Sequence, residues 1–153
     1  MRRLTRLALL TSLTAVITMA VNIPLPHVKG YINIGDSVIL LTGLLLGPGA
    51  GAVVGGVGSA MADLILGYPH WAGWTLAIKG LEGFLAGRLG KRPFVGALAG
   101  VGAMAGGYFV AGCLMYGSVA PALAQLPFDL IQGGISCMAA LTVRGVLKSY
   151  LQS

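Results

Sequence analysis

The chain has 153 residues, 56% of them hydrophobic and only 9% charged, with 10 Lys and Arg against 4 Asp and Glu. A soluble domain of this size needs a charged shell that this composition cannot supply, and the mean hydropathy of +0.87 places the chain in a bilayer. At about 20 apolar residues per helical span, roughly six or seven spans use up the residues. They leave no room for a soluble catalytic domain, a receptor domain or an ATPase domain.

The first span is expected from Leu7 to Ile23, after Arg2, Arg3 and Arg6 and before Pro24 and Pro26. A basic start before an apolar run also describes a signal peptide. This run is longer than usual and no small-x-small cleavage site follows it cleanly, so retention as a span is expected. Ser37 to Leu66 is nearly unbroken apolar sequence, about 45 Å long as one helix and too long for one span. The break belongs at Gly47-Pro48-Gly49-Ala50-Gly51, where proline removes a helix donor and the glycines free the backbone. That gives a second span from Asp36 to Leu46 and a third from Ala52 to Leu66. A fourth follows from Ala72 to Leu89, a fifth from Phe94 to Met115 and a sixth from Leu126 to Leu147.

The predicted fold class is therefore an all-α integral membrane protein, a single domain of six transmembrane helices. Charge orients it. Arg2, Arg3, Arg6, Arg88, Lys91, Arg92, Arg144 and Lys148 all fall on one side if there are six spans, with Lys29 opposite and Lys79 inside a span. Basic residues near span ends prefer the cytoplasm, so both termini are expected there. The sequence pI near 9.8 reflects this topology rather than a nucleic-acid partner, because the basic residues form no dense patch with interleaved aromatics. Glycine-rich stretches such as 96–107 read as close-packing helix surfaces.

The four acids all lie in or at the ends of spans: Asp36, Asp63, Glu82 and Asp129. A charge at helix centre costs about 2.5–3.5 kcal/mol on insertion scales, so each needs a reason. Gln125, Asp129, Gln132 and Ser136 share one helix face by spacing. So do Trp71, Thr75, Lys79 and Glu82, and so do Ser59 and Asp63. These polar stripes begin at the outer side. Lys79 and Glu82 at i, i+3 can neutralise each other, or Lys79 can pair with Asp63 or Asp129; a ligand-facing role is favoured, and Lys79→Ala and Asp129→Ala are expected to weaken binding while sparing expression. Asp36, at a helix start, is expected to act as an N-cap and dipole partner. Tyr31, Asn33, Tyr68, His70, Trp71 and Trp74, with Tyr108 and Tyr116, supply either an interfacial aromatic belt or stacking surfaces at the mouth of a cavity.

No enzymatic or metal constellation is present in the pattern. Cys113 and Cys137 lie on different helices, and His27 and His70 have no partner at metal-ligand spacing. The Gly47–Ala52 run lacks the strand and acid of a dinucleotide site, and no Walker sequence or serine elbow occurs.

Four motifs then stand in order: Gly30-Tyr31-Ile32-Asn33-Ile34-Gly35-Asp36-Ser37, Leu46-Gly47-Pro48, Gly55-Gly56-Val57-Gly58-Ser59-Ala60-Met61-Ala62-Asp63-Leu64, and Trp74-Thr75-Leu76-Ala77-Ile78-Lys79-Gly80-Leu81-Glu82-Gly83. This run closely resembles the substrate-binding S components of energy-coupling factor (ECF) vitamin transporters, in the branch of riboflavin, hydroxymethylpyrimidine and pyridoxine uptake. The resemblance implies a non-enzymatic vitamin binder of the cell membrane, with its site near the outer face. It implies no cofactor of its own, and as partners a membrane coupling (T) subunit and two ATP-binding subunits that hydrolyse ATP. The candidate substrate-binding residues are Asn33, Asp63, Tyr68, His70, Trp71, Thr75, Lys79, Glu82, Tyr108, Tyr116, Asp129 and Gln132. The loops at 22–35, 67–72 and 116–125 are expected to cover the site.

Family members commonly dock through an Ala-x-x-x-Ala pattern in the first helix. Here Ala8 with Ser12 and Thr11 with Ala15 are the small residues at that spacing. The His-bearing N-terminal segment of nickel and cobalt members has no counterpart, which favours an organic ligand. A pyrimidine or pyridine suits the polar and aromatic set, and riboflavin suits much of it too. A stand-alone ion-coupled carrier built on Lys79, Glu82 and Asp63 is the alternative reading.

Overall fold

A computed structural model describes residues 2–24 and 31–152. Pro26, His27, Lys29 and Gly30, expected as a span stop, loop residues and the start of a motif, lie outside the described residues. The elements are α1 (Arg2–Ala20), β1 (Ile23–Pro24), β2 (Tyr31–Ile32), α2 (Asp36–Leu46), α3 (Pro48–Leu66), α4 (Pro69–Arg88), α5 (Pro93–Tyr116) and α6 (Val119–Gln152).

Six helices stand where six were expected, but α3, α4 and α6 begin earlier, and α1 runs from Arg2 to Ala20 rather than from Leu7 to Ile23, the last of which lies in β1. α3 starts at Pro48 rather than Ala52, and α4 at Pro69 rather than Ala72. In each case proline occupies the first turn, where its missing N–H costs nothing and its fixed φ suits a helix. The proline read as a breaker is thus a starter, and the break before α3 is Gly47 alone, at φ 91°.

The third correction is larger. The segment 119–125, expected as a covering loop, is the first two turns of a 34-residue α6 that continues through Pro127. Pro127 forfeits its N–H bond and crowds the Leu123 carbonyl one turn before it, a cost that packed membrane helices tolerate. Only Gly117 and Ser118 join α5 to α6. Among the described residues the helices are joined by one small antiparallel ladder, Ile23 opposite Ile32 and Pro24 opposite Tyr31, which returns the chain from α1 toward α2.

α1, α3, α5 and α6 are each long and apolar enough to cross a membrane. α2 has 11 residues, about 17 Å of helix and half a span. It touches every other helix, and its Ile39 and Leu40 are fully buried. It runs beside α4 in the same direction, with Asp36 meeting Lys79 and Gly43 backing on Gly83 and Ala86. Leu40 and Leu44 of α2 pack with Ala86, Ala97, Val101, Cys137 and Ala140 in the apolar core. Leu9, Leu64, Leu114 and Met138 are exposed, the outward apolar surface that a lipid-facing bundle presents.

α3 and α4 pack backbone to backbone. A Cβ on Gly51 would overlap the Gly83 backbone, and one on Gly83 would overlap that of Gly51. Close glycine contact supplies helix association where apolar burial gives no net drive.

The α3–α4 turn depends on Gly67, which takes φ 85° and directs its N–H to the Asp63 carbonyl. A side chain there would meet open space, so the only penalty of Gly67→Ala is the left-handed backbone. Its expected cost is about 1–2 kcal/mol, read as a shift in the unfolding midpoint in detergent with binding unchanged.

Candidate functional site

The polar stripes read from spacing converge. Trp71, Thr75 and Lys79 of α4 are buried, as are Ser59 and Asp63 of α3 and Gln125, Asp129, Gln132 and Ser136 of α6. Facing one another across the bundle, most of these side chains line one cavity, joined by Thr18 of α1, Tyr31 of β2, Asn33, Tyr68 and Tyr108. About 40 Å³ of it is open to the centre of a water molecule, room for a few waters.

The floor is an ion cluster. Lys79 Nζ bonds Asp36 Oδ1 and lies 3.1 Å from Glu82 Oε2. Gln132 Nε2 donates to Asp36 Oδ2 at 2.7 Å, and its Oε1 accepts the Asn33 backbone N–H at 2.9 Å. Asn33 Oδ1 in turn accepts from the Gly35 N–H at 2.8 Å. Of the pairings open to Lys79, the one with Glu82 is present and those with Asp63 and Asp129 are not, Asp36 being its second partner. The N-cap role expected of Asp36 is overturned: Gly35 holds the cap position without a side-chain bond, and Asp36 is the first helical residue. Energetics explain the choice. A cap is worth about 1 kcal/mol, while a buried ammonium without a counter-charge costs about 3–5 kcal/mol.

Above the floor the wall turns aromatic. Tyr108 donates to Thr75 Oγ1 at 3.1 Å, and its ring centroid lies 5.5 Å from Lys79 Nζ, within cation–π range. Trp71 meets Tyr108 edge-on at 5.9 Å, and Tyr31 and Tyr68 stand 5.3 Å apart by centroid. Tyr31 donates to Asp63 Oδ1 at 2.6 Å. Burial, followed by the neighbouring Asp63 carboxylate, raises its phenol pKa above the ordinary value, so it stays a donor. On the α6 side Gln125 Nε2 reaches both oxygens of Asp129 at 3.4 Å.

Of the candidate residues, Asn33, Asp63, Tyr68, Trp71, Thr75, Lys79, Tyr108, Asp129 and Gln132 line the cavity. Glu82 does not: it is fully buried behind Lys79. His70 and Tyr116 sit behind the aromatic wall, 6.4 and 6.2 Å from Trp71 by centroid. Tyr31, Ser59 and Gln125, which the sequence placed in the aromatic belt or on polar stripes without marking them as binding residues, also belong to the lining. Thr18 escapes sequence reading altogether. Its signal is Thr14-x-x-x-Thr18, a polar pair at i, i+4 that is buried at both positions. Thr14 is engaged by the Leu10 carbonyl at 2.9 Å, while Thr18 reaches the cavity.

The residues expected to dock a partner divide. Ala8 and Ser12 are exposed. Ala15 is buried at 5% exposure, and the Thr11 carbonyl backs on Gly58 of α3. That pair faces into the bundle.

Comparison with known proteins agrees with this architecture. The chain is 34% identical over 132 residues to the thiamine precursor transporter HmpT of Lactococcus lactis, covering 86% of this chain and 78% of that one. It is 43% identical over 123 residues to an uncharacterized protein in the gap 3′ region of Pyrococcus woesei, covering 76% of this chain and 82% of the other. A solved S component of a bacterial ECF transporter superposes with a TM-score of 0.77 over 99% of this chain and 98% of its own, at 20% identity, a likeness of fold. Residues 1–149 match the family described as ECF-type riboflavin transporter, S component, and the chain belongs to that family of substrate-binding subunits of ECF importers.

Proposed function

We propose that the cavity lined by Asp63, Trp71, Lys79, Tyr108, Asp129 and Gln132 is the substrate site, and that it takes a vitamin-like small heteroaromatic. The observation that carries this is the convergence of buried polar side chains from α3, α4 and α6 beneath an aromatic wall. A flat ring can stack on Trp71 or Tyr108 while its edge bonds the polar groups. Likeness to a thiamine precursor transporter supports a pyrimidine, and the family description supports riboflavin.

In this reading the cavity opens at the outer face and both termini are cytoplasmic. A coupling (T) subunit and two ATP-binding subunits supply the energy, so the chain needs no cofactor and performs no chemistry. Ala8 and Ser12, exposed on α1, are the small residues available to the coupling subunit.

The experiment is mass spectrometry of ligand co-purified with the chain, followed by titration of the identified compound in detergent. One saturable site is expected. Uptake into vesicles is expected only when the coupling and ATP-binding subunits are present. Uptake by this chain alone, driven by a proton gradient, would overturn the assignment to the S component role.

A further inference from the structure

We infer that the cavity recognises its ligand through hydrogen-bond donors on the ligand, such as an amino group or ring N–H, received by Asp63 Oδ2 with the Thr18 hydroxyl as a second contact. It turns away the carboxylate- and phosphate-bearing forms of the same compounds. This rests on the cavity being the substrate site and names the chemistry that site selects.

Most polar groups of the wall are already committed. Lys79, the ammonium in the wall, is held by Asp36 and Glu82. Gln132 is engaged at both ends, by Asp36 and by the Asn33 N–H. Asn33 Oδ1 is taken by Gly35, and the Tyr31 and Tyr108 hydroxyls donate to Asp63 Oδ1 and Thr75. Against these, Asp63 Oδ2 and Thr18 Oγ1 have no partner in hydrogen-bonding geometry, although both residues are only 2% exposed. The Thr75 hydroxyl acts on the Asp63 carboxyl as a hydrogen-bond donor, but no bond of ordinary geometry reaches Oδ2. A buried carboxylate oxygen left empty costs about 1–3 kcal/mol or more, and both atoms belong to residues of the cavity wall.

The second observation is the balance of charge. All four acids of the chain surround the cavity or its floor, two of them lining it, against one ammonium already shared between two carboxylates. An anionic ligand would meet no uncommitted cation among the described lining residues. A donor-bearing neutral or cationic ligand completes the lining, since a carboxylate accepting an N–H makes one of the stronger hydrogen bonds.

Matched pairs of compounds, differing only in the anionic group, test this. The intact protein in detergent is titrated calorimetrically with nicotinamide and nicotinate, with riboflavin and its 5′-phosphate, and with 4-amino-5-hydroxymethyl-2-methylpyrimidine and its phosphate ester. In whichever pair binds, the uncharged member is expected to bind at least about 30-fold more tightly. Asp63→Asn is expected to weaken it about 10-fold or more, with the unfolding midpoint held because Tyr31 can still donate to the amide oxygen. Thr18→Val, which removes a hydroxyl at nearly constant volume, is expected to weaken it by a smaller factor. Equal or tighter binding of an anionic member would overturn the inference and leave the substrate-site reading standing. Unchanged affinity in both folded variants would do the same. No saturable binding by any of the six compounds, or by the compound that co-purifies, would sink the substrate-site reading and this inference together.

Discussion

Replacing Lys79 by Met is expected to cost about 3–5 kcal/mol of stability and to remove most of the folded protein from the membrane fraction. The reason lies in what remains. Asp36 and Glu82 are 1% and 0% exposed, and removing the ammonium between them leaves two carboxylates buried without compensation, the situation in which breaking a buried ion pair is most costly. Replacing the whole cluster is different, because a neutral set of similar volume has no charge to desolvate. Lys79→Met combined with Asp36→Asn and Glu82→Gln is therefore expected to recover most of the folded yield, read by size-exclusion chromatography in detergent and by the unfolding midpoint. If Lys79→Met alone remained fully folded and lost only ligand affinity, the cluster would be a binding device first and a structural one second. The sequence alone favours that outcome; the geometry favours the structural one, since Lys79 reaches the cavity wall while paired from behind with Asp36 and Glu82.

That difference has a physical origin. Helical spacing placed Trp71, Thr75 and Lys79 on one face and Gln125, Asp129, Gln132 and Ser136 on another, and all of them are buried. Spacing works because an intramembrane polar residue has nowhere to turn but inward, so one helix suffices to predict its direction. It does not say which inward face meets which. Asp36 lies 43 residues before Lys79, and its role follows from α2 running beside α4, a fact of tertiary packing. Thr18 was illegible for another reason. A threonine in a helix normally satisfies itself on a carbonyl of the preceding turn, as Thr14 does, and only the structure distinguishes the one that does not. The start of α3 was misplaced because Pro48 was read as a breaker, whereas a proline supports a first turn as well as it breaks an interior one, as Pro69 does at the start of α4.

The glycines give the second large effect, and here position decides the sign. Gly83→Val is expected to disrupt the bundle. A Cβ at residue 83 would overlap the Gly51 backbone, and a backbone inside a membrane helix cannot swing aside as a side chain does. α3 and α4 must separate, at more than the roughly 1–3 kcal/mol of ordinary overpacking. The displacement also has a functional direction. One turn along α4 the Lys79 carbonyl lies against Gly55 of α3, and the next contact joins the Leu76 carbonyl to Gly56. A wedge at residue 83 therefore spreads α3 from α4 at the level of the ion cluster and shifts Asp63 relative to Lys79. Any Gly83→Val protein that does fold is expected to have lost most of its ligand affinity. Gly106→Ala and Gly134→Ala are the contrast: both are helical, neither has an atom within 4 Å of the added Cβ, and alanine is worth about 0.5–1 kcal/mol more than glycine in a helix interior. These two variants are expected to raise the unfolding midpoint slightly and bind normally. An equal loss of stability in all three would mean that glycine content, rather than the α3–α4 contact, governs the fold. A loss confined to Gly83→Val, with its reciprocal Gly51→Val matching it, would place the determinant in the one interface that also carries Asp63 and Lys79.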